Sequence, residues 1–306
     1  MYEAKLMPFN IEEETNEVLS NYLITQTGYI PTGVNMINAP IMWQKGFRGE
    51  GVTIAVIDTG CVMNHPDLKK NIIGGRNFTT EDEGNVDIYE DYCGHGTHVA
   101  GTIAGNGHIL GVAPKSKLLI LKVLNKDGNG NITSIINAIN YAVKQKVDII
   151  SMSLGCPTDM TQLKIAIENA TRKGILVVCA CGNSGDNLPY TVEIDYPAYY
   201  NEVVSVGAID NTKLNATFSN SNKEIDVVAP GVNIVSTYLN NGYAKLNGTS
   251  MATPHVTGAL ALLKQWSTYE FGRELSEVEL YAQLIKNTLE LNLPKGVQGN
   301  GMICLK

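Results

Sequence analysis

The sequence predicts an α/β protein in which helices cover both faces of a doubly wound, mostly parallel sheet. Apolar segments of strand length, such as 53–57 (TIAVI) and 175–180 (ILVVCA), alternate along the chain with segments of helical periodicity, such as 132–145. Near-continuous runs of Val, Ile and Leu are typical of strands that are buried on both faces. Alternation of such strands with helices favours a parallel sheet in a three-layer arrangement.

The individual elements follow from apolar runs and their spacing. The last predicted helix is mostly buried, and Pro254 is compatible with it in the first turns, where a missing N–H costs least. In doubly wound sheets the site lies at the carboxyl ends of strands, where Asp58, Ser153 and Asn183 fall. The predicted strands are 53–57, 118–123, 147–152, 175–180, 203–207 and 225–229, and the predicted helices are 132–145, 160–173 and 251–266.

Composition limits the class of function. The chain has 306 residues, of which 44% are hydrophobic and 17% charged, as in a soluble globular protein with a substantial core. A net charge of −7 without a basic stripe argues against nucleic acid and anionic membranes as partners. Residues 1–20 carry five glutamates and no apolar core, so we expect no secretory signal peptide. The six cysteines lack metal-site spacing, and we expect free thiols in a reducing cytoplasm.

Three short motifs supply an acid, a base and a hydroxyl. Asp58 ends an apolar run in Asp-Thr-Gly, His95 begins His-Gly-Thr-His, and Ser250 lies in Gly-Thr-Ser-Met-Ala. A serine hydroxyl attacks carbonyl groups poorly unless an imidazole removes its proton, and a carboxylate fixes the tautomer of that imidazole. A serine at a helix start also lies beside free backbone N–H groups, which favour a developing oxyanion.

Other interpretations of these motifs require sequence features that do not occur in this chain. Asp-Thr-Gly is also typical of aspartic proteases, but no second Asp-Thr-Gly or Asp-Ser-Gly occurs. His95 and His98 are three residues apart, whereas the metalloprotease motif places two histidines four apart around a glutamate. We therefore expect His98, like His65, His108 and His255, to be structural. The glycine-rich stretches precede no Gly-Lys-Ser or Gly-Lys-Thr, which argues against a phosphate-binding loop.

Longer segments around the three motifs resemble a known family. The stretches 53–67 (TIAVIDTGCVMNHPD), 94–104 (GHGTHVAGTIA) and 248–258 (GTSMATPHVTG) resemble the signature segments of subtilisin-like serine proteases. Within that family the chain is most similar to the intracellular subtilisins, because residues 5–9 (KLMPF) resemble their Leu-Ile-Pro-Tyr motif and 280–286 (LYAQLIK) resembles their C-terminal tail. The resemblance extends from about residue 5 to residue 304.

The resemblance implies a mechanism and an organisation. It implies a cytosolic serine endopeptidase in which Ser250 attacks, His95 carries the proton and Asp58 orients His95. Asn183 and the Ser250 N–H hold the oxyanion, and the acyl-enzyme is then hydrolysed. It also implies an N-terminal extension, residues 1–22, that blocks the site until it is removed, with Pro8 resisting cleavage. The alternative for residues 1–22 is a disordered acidic tail. A catalytic domain at 23–289 and a C-terminal tail at 290–306 complete the expected organisation.

The resemblance further implies a cleft in which substrate pairs as an added strand, and a homodimer is possible. Asp195 occupies the base of the expected primary specificity pocket, where it would favour Lys or Arg, unless it turns outward or binds a cation. Asp67 matches a ligand of the family's structural calcium, although the segment 104–111 is shorter than the corresponding segment in the family. The resemblance implies no cofactor for the catalytic reaction. The expected cleft residues are Gly128, Gly130, Ser153, Leu154 and Gly155.

Two functions from other classes stay open at this point. One is a catalytically silent, peptide-binding relative of the proteases, which all four filled catalytic positions argue against. The other is a dinucleotide-binding oxidoreductase on a similar sheet. It lacks the expected Gly-x-Gly-x-x-Gly turn after its first strand.

Overall fold

The computed structural model describes residues 3–6, 10–11 and 28–306. Short 3₁₀ turns occur at Asp82–Gly84 and Leu239–Asn241. The helices are α1 (Thr32–Met36), α2 (Ala39–Gln44), α3 (His95–Ala104), α4 (Ile132–Gln145), α5 (Thr161–Arg172), α6 (Thr249–Phe271), α7 (Glu277–Lys286) and α8 (Lys295–Gln298). The strands are β1 (Glu3–Lys5), β2 (Asn10–Ile11), β3 (Thr53–Asp58), β4 (Ile72–Asn77), β5 (Lys117–Lys122), β6 (Asn129–Asn131), β7 (Ile149–Met152), β8 (Leu176–Ala180), β9 (Val204–Ile209), β10 (Val227–Pro230), β11 (Ile234–Thr237), β12 (Tyr243–Asn247), β13 (Thr288–Leu289) and β14 (Met302–Ile303).

A nine-stranded sheet forms the centre of the fold. Its order is β13-β14-β10-β9-β8-β7-β3-β5-β4, and every neighbouring pair is parallel except β13 with β14. The first strand of the sheet in the chain, β3, lies between β5 and β7, so the chain runs to one side of β3 and then to the other. This reversal opens a crevice at the carboxyl ends of the strands, as expected for a doubly wound sheet. The predicted fold class is confirmed.

Helices bury both faces of this sheet. Ile54 and Val56 belong to the core that includes α3 and α6, whereas Ala55 and Ile57 belong to the core that includes α4 and α5. All four side chains are fully buried. Because alternate residues of β3 face opposite cores, neither face can carry polar residues, which explains the continuous apolar runs in the sequence.

The predicted elements recur with small shifts at their ends. The strand predicted at 225–229 is Val227–Pro230, and the helix predicted at 251–266 runs from Thr249 to Phe271. The segment predicted as a C-terminal tail contributes β14, which pairs in parallel with β10. Two further sheets are small: β1 pairs with β6, and β2, β12 and β11 form a three-stranded sheet.

All six cysteines carry free thiols, in agreement with the prediction.

No helix in the described part of the chain has the length and apolar character needed to cross a membrane.

Candidate active site

A buried carboxylate and a buried imidazole meet where β3 ends and α3 begins. The Nδ1 atom of His95 lies 2.7 Å from Oδ1 of Asp58, and both side chains are at most 1% exposed. The backbone N–H of Thr59 donates to the same Asp58 oxygen at 2.7 Å. A carboxylate at this distance keeps the imidazole proton on Nδ1, so Nε2 carries the lone pair and can act as a base.

A second buried carboxylate, that of Asp91, holds the Asp58–His95 pair in place and was not predicted from the sequence. Oδ1 of Asp91 accepts hydrogen bonds from the Thr59 hydroxyl and from the N–H groups of Cys93 and Gly94, each at 2.9 Å. Oδ2 of Asp91 accepts from the N–H of Thr97 at 2.9 Å and from its hydroxyl at 2.6 Å. Asp91 therefore satisfies N–H groups at the start of α3 and ties α3 to the turn after β3.

The signal for Asp91 was present in the sequence as an acidic residue shortly before a helix, which is typical of helix starts. A second tie runs through the Thr59 hydroxyl, which accepts the N–H of Gly96 at 2.9 Å. Spacing alone could not show that Asp91 also reaches Thr59, because that contact spans 32 residues.

A buried lysine supports the same turn from the other side. Lys122, at the end of β5, is fully buried, and its ammonium group donates to the carbonyl oxygens of Thr59 at 2.6 Å and Leu124 at 3.1 Å. Oε2 of Glu81 lies 2.9 Å from the same nitrogen. The paired ammonium holds the backbone immediately after Asp58, which restricts how Asp58 can move.

Ser250 is the second residue of α6 and is held by Ser153, which follows β7. The Ser250 hydroxyl donates to the Ser153 carbonyl at 3.1 Å, and the Ser153 hydroxyl donates to the Ser250 carbonyl at 3.0 Å. Pro254 lies four residues after Ser250 and has no N–H, so the helix itself cannot satisfy the Ser250 carbonyl. The Ser153 hydroxyl supplies the missing donor, and the two serines are fixed reciprocally.

The side-chain amide of Asn183 is oriented by Thr249, another residue that the sequence reading did not single out. Oδ1 of Asn183 accepts the N–H of Thr249 at 2.9 Å and its hydroxyl at 2.8 Å. An N–H group can donate only to the amide oxygen, so the NH₂ group of Asn183 lies on the opposite side, beside Gly248. Gly248 and Thr249 immediately precede Ser250, which places this amide close to the start of α6.

Two of the expected cleft segments enclose an extended strand of the chain's own N-terminus. β1 pairs antiparallel with β6, with Ala4 opposite Gly130. On its other edge, the Lys5 N–H donates to the Gly155 carbonyl at 3.4 Å and the Gly155 N–H donates to the Lys5 carbonyl at 3.3 Å. The Leu6 N–H donates to the Gly128 carbonyl at 2.8 Å. Residues 3–6 therefore occupy the space between the two segments as an added strand.

The cleft segments differ in how much side chain they present. Leu154 is buried in the core shared with α4 and α5, to which Ala4 of β1 also belongs. Gly128 has φ +73° and a Cβ there would contact the Leu6 side chain, so glycine suits both the backbone and the close approach. The N-terminal strand therefore combines backbone pairing with burial of the Ala4 side chain.

Asp67, the expected calcium ligand, instead accepts three hydrogen bonds from protein groups. Its Oδ1 accepts the N–H of His108 at 2.9 Å, and its Oδ2 accepts the N–H of Ile109 and the hydroxyl of Tyr243, each at 3.0 Å. Within the described ranges, no group of three or more His, Cys, Asp or Glu side chains could hold a metal ion. N–H donors would repel a cation at this position, so these residues do not fit a calcium held by Asp67.

The remaining histidines mostly bond to backbone. Nε2 of His98 lies 2.9 Å from the carbonyl of Ile234, and Nδ1 of His255 lies 2.8 Å from the carbonyl of Met251. Burial lowers the pKa of His98 to about 3 and that of His255 to about 4, so both stay neutral in the folded protein. These hydrogen bonds to backbone carbonyls are typical of histidines that have a structural role.

A buried aspartate–histidine pair at the crevice of a doubly wound sheet, with a serine at a neighbouring helix start, is the arrangement of a serine protease. The subtilase family model matches residues 49–301, and the chain belongs to this family of serine proteases.

Individual relatives agree with this assignment. The chain is 53% identical to the major intracellular serine protease of Bacillus subtilis (strain 168) over 99% of its own length and 93% of that protein. It is 56% identical to the intracellular serine protease of Paenibacillus polymyxa over 92% of its length and 86% of that protein. Similarity to subtilisin DY of Bacillus licheniformis is lower, at 44% over 76% of this chain and 84% of that protein.

Proposed function

We propose that this protease is an intracellular serine endopeptidase that cleaves polypeptides through Asp58, His95 and Ser250. The observation that carries the proposal is the buried 2.7 Å contact between Asp58 and His95, because it prepares an imidazole to act as a base. The intracellular location follows from the two relatives named as intracellular serine proteases.

Catalysis begins with a rotation of the Ser250 side chain away from the Ser153 carbonyl and toward Nε2 of His95. Nε2 takes the hydroxyl proton while Oγ forms a bond to the substrate carbonyl carbon, and Asp58 stabilises the imidazolium that results. The carbonyl oxygen becomes an oxyanion, for which the Asn183 amide and the Ser250 N–H at the start of α6 are the donors. His95 then gives its proton to the leaving amine as the C–N bond breaks.

The resulting acyl-enzyme is released by water. His95 takes a proton from the water while the water oxygen attacks the ester carbonyl, and it returns that proton to Oγ of Ser250 as the C–O bond breaks. No metal or other cofactor takes part in any of these proton transfers, in line with the chemistry of subtilases.

Substrate binds by the backbone pairing that residues 3–6 display. Gly128, Gly130 and Gly155 present N–H and C=O groups on both edges of that strand. Backbone pairing of this kind gives affinity without requiring a particular sequence, which suits a protease that acts on varied polypeptides.

The same contacts support a blocking role for the N-terminal extension, residues 1–22. On one side of residues 7–9, β1 and Leu6 occupy the cleft; on the other, β2 pairs with β12, with Asn10 opposite Asn247. Asn247 lies three residues before Ser250. The extension is therefore anchored on both sides of the proposed nucleophile and competes with substrate. Pro8, the residue expected to resist cleavage, lies outside the described residues.

The blocking role can be tested without truncation. Ala4 is 1% exposed and packs in the core shared with α4 and α5, whereas Glu3 is exposed. Ala4→Asp would bury an unpaired carboxylate, release the strand and raise peptidase activity, as removal of residues 1–22 should. The control Glu3→Gln changes charge in the same strand and should leave activity unchanged. Equal activity in all these proteins would refute a blocking role.

The catalytic proposal is tested by casein hydrolysis. Ser250→Ala and Asp58→Asn, each in the background of Ala4→Asp, should lose hydrolysis while keeping the thermal unfolding temperature of their parent. Casein cleavage that survives Ser250→Ala would show that another group is the nucleophile. A catalytically silent, peptide-binding relative of the family would cleave casein in no variant.

The organisation of the chain completes the proposal. We assign the catalytic domain to 23–289 and a tail to 290–306, whose strand β14 joins the central sheet. A homodimer, which the family resemblance implies, would appear as twice the monomer mass in sedimentation equilibrium. The family's structural calcium has no place at Asp67 in this proposal, because protein N–H and O–H donors face both oxygens of that carboxylate.

A further inference from the structure

The carboxylate of Asp195 lies between the two segments that border the crevice. Tyr196, the next residue, exchanges two backbone hydrogen bonds with Cys156, at 2.8 and 2.9 Å, beside the cleft residue Gly155. On the other side, a Cβ atom placed on Gly182 would collide with Oδ2 of Asp195. Gly182 immediately precedes Asn183, so the carboxylate is packed against the strand end that carries the oxyanion donor.

This carboxylate has little to offset its charge. Oδ2 of Asp195 accepts one hydrogen bond, at 3.0 Å, from the Asn220 amide, which is itself fixed by the Cys181 carbonyl and the Ser184 N–H. No lysine, arginine or histidine of the described residues forms an ion pair with it, and none is among the groups that shift its pKa. Asp195 is half-buried, and burial raises the pKa of its carboxyl group.

The neighbouring thiols supply no positive charge. Burial raises the pKa of Cys181 to about 12 and also raises that of Cys156, so both are neutral around pH 7. A partly desolvated carboxylate without a cation is unfavourable, and a cation that reaches it gains more than one at an exposed site. A positively charged group would therefore stabilise the carboxylate of Asp195.

The position of the reacting carbonyl shows which partner could reach it. In the proposed reaction that carbonyl lies between Ser250 and Asn183, so the residue that carries it stands over the Ser153–Gly155 and Gly182–Asn183 segments. Gly155 has no side chain, and the space beside Gly182 is filled by the Asp195 carboxylate and the Asn220 amide. Lys and Arg have long apolar stems with a cationic end, which lets their charge reach a carboxylate that lies behind the backbone of these segments.

We propose that Asp195 determines specificity and that the protease prefers Lys or Arg immediately before the bond that it cleaves. This inference rests on the proposed function, because it takes Ser250 and Asn183 as the groups that bind the reacting carbonyl. A bound metal ion is the competing partner for Asp195, but a metal site needs several ligands and the described residues offer no cluster of three such side chains here.

The test compares chromogenic peptides that differ only in the residue before the scissile bond: Lys, Arg, Phe, Leu or Glu. The full chain can be used, since a competing N-terminal extension lowers kcat/KM for every peptide by the same factor and cancels in ratios. We expect Asp195→Asn to lower the Lys-to-Phe ratio of kcat/KM about tenfold or more and to raise the relative rate on Glu. Asp195→Glu should retain the preference for Lys and Arg.

The matched control is Asp186→Asn, which removes the same charge from the same loop. Asp186 is exposed, and its Oδ1 accepts hydrogen bonds from Leu188 and Thr191 that an asparagine can also accept. Its specificity ratios should equal those of the wild type. The rate at which a fluorophosphonate labels Ser250 should be unchanged in Asp195→Asn, which shows that the variant is folded and its nucleophile intact.

Three results would overturn the inference. Peptide hydrolysis with unchanged ratios in Asp195→Asn would refute it and leave the proposed function in place. Unchanged ratios together with a calcium-dependent unfolding temperature that Asp195→Asn abolishes would assign the carboxylate to a metal ion instead. Failure of the Ala4→Asp protein, in which the N-terminal strand is released, to cleave any of the peptides and to react with the fluorophosphonate would refute the proposed function and the inference together.

Discussion

Replacement of Asp91 by asparagine tests whether a buried carboxylate holds the Asp58–His95 pair in place. Asp91 is 2% exposed and accepts five hydrogen bonds, three on Oδ1 and two on Oδ2. In Asp91→Asn an NH₂ group replaces one oxygen and faces N–H or O–H donors. The N–H of Thr97 cannot rotate, so at least one buried donor loses its acceptor, and the other bonds lose the charge that strengthens them.

The magnitude follows from these contacts. An unsatisfied buried donor costs about 1–3 kcal/mol, and hydrogen bonds to a charged group contribute about 1.5–3 kcal/mol each, more than neutral ones. We expect Asp91→Asn to lower the free energy of unfolding by about 3–5 kcal/mol, at the level measured when a buried polar network is broken. Since the cleft residues are untouched, kcat should fall while KM stays near the parent value.

The assay is urea unfolding in a Ser250→Ala background, which prevents self-digestion, combined with peptide kinetics in the active protein. The control is Asp87→Asn, an exposed aspartate four residues earlier whose change should cost less than about 0.5 kcal/mol. Asp91→Asn with a free energy of unfolding within about 1 kcal/mol of the parent and an unchanged kcat would refute the positioning role.

Three further predictions concern other buried side chains. Ser153→Ala should cost about 1 kcal/mol because the Ser250 carbonyl loses its donor, and Pro254→Ala should recover part of that loss in the double variant by supplying a helical N–H. Lys122→Met should cost about 3–5 kcal/mol because Glu81 keeps a charge without its partner, and the additional change Glu81→Gln should reduce that cost. Burial lowers the pKa of His255 to about 4 in the folded state, compared with about 6.5 in the unfolded state. Between these two pH values the unfolded state binds more protons than the folded state. The free energy of unfolding therefore falls as the pH drops from 6.5 toward 4. In His255→Asn the free energy of unfolding should fall with decreasing pH less steeply, by up to about 1.4 kcal/mol per pH unit.

Each of these predictions has a result that would contradict it. Additive effects of the Ser153 and Pro254 changes would show that the two residues do not share the Ser250 carbonyl. A double variant at Lys122 and Glu81 that is less stable than Lys122→Met would show that the remaining carboxylate is not what destabilises the single variant. An identical pH dependence in His255→Asn and its parent would show that His255 does not resist protonation in the folded protein.

The sequence was sufficient for the elements that depend on local pattern. The continuous apolar runs predicted the parallel strands of the central sheet, and Asp58 was expected at a strand end, where it lies. Ser250 was expected at a helix start and is the second residue of α6. The segment 302–303 was not predicted as a strand because two residues carry no periodicity that could be recognised.

The supports of the site depend on contacts between distant parts of the chain. The hydroxyl of Ser153 reaches the Ser250 carbonyl across 97 residues, and Oδ1 of Asn183 accepts from Thr249 across 66. No spacing rule connects such residues, since their distance depends on how the strands are ordered in the sheet. The surroundings of Asp67 were hidden from the sequence for a similar reason, because the N–H groups that donate to this carboxylate come from residues 108 and 109.

The most direct test of the central claim is to locate the residue that a fluorophosphonate labels on the Ala4→Asp protein, in which the N-terminal strand is released. Mass spectrometry of the labelled protein should find the adduct on Ser250, because the imidazole prepared by Asp58 activates that hydroxyl for attack on phosphorus as on a carbonyl. Labelling should be absent in Ser250→Ala and strongly slowed in His95→Ala. An adduct on another residue, or a labelling rate that is unchanged in His95→Ala, would contradict the proposed catalytic mechanism.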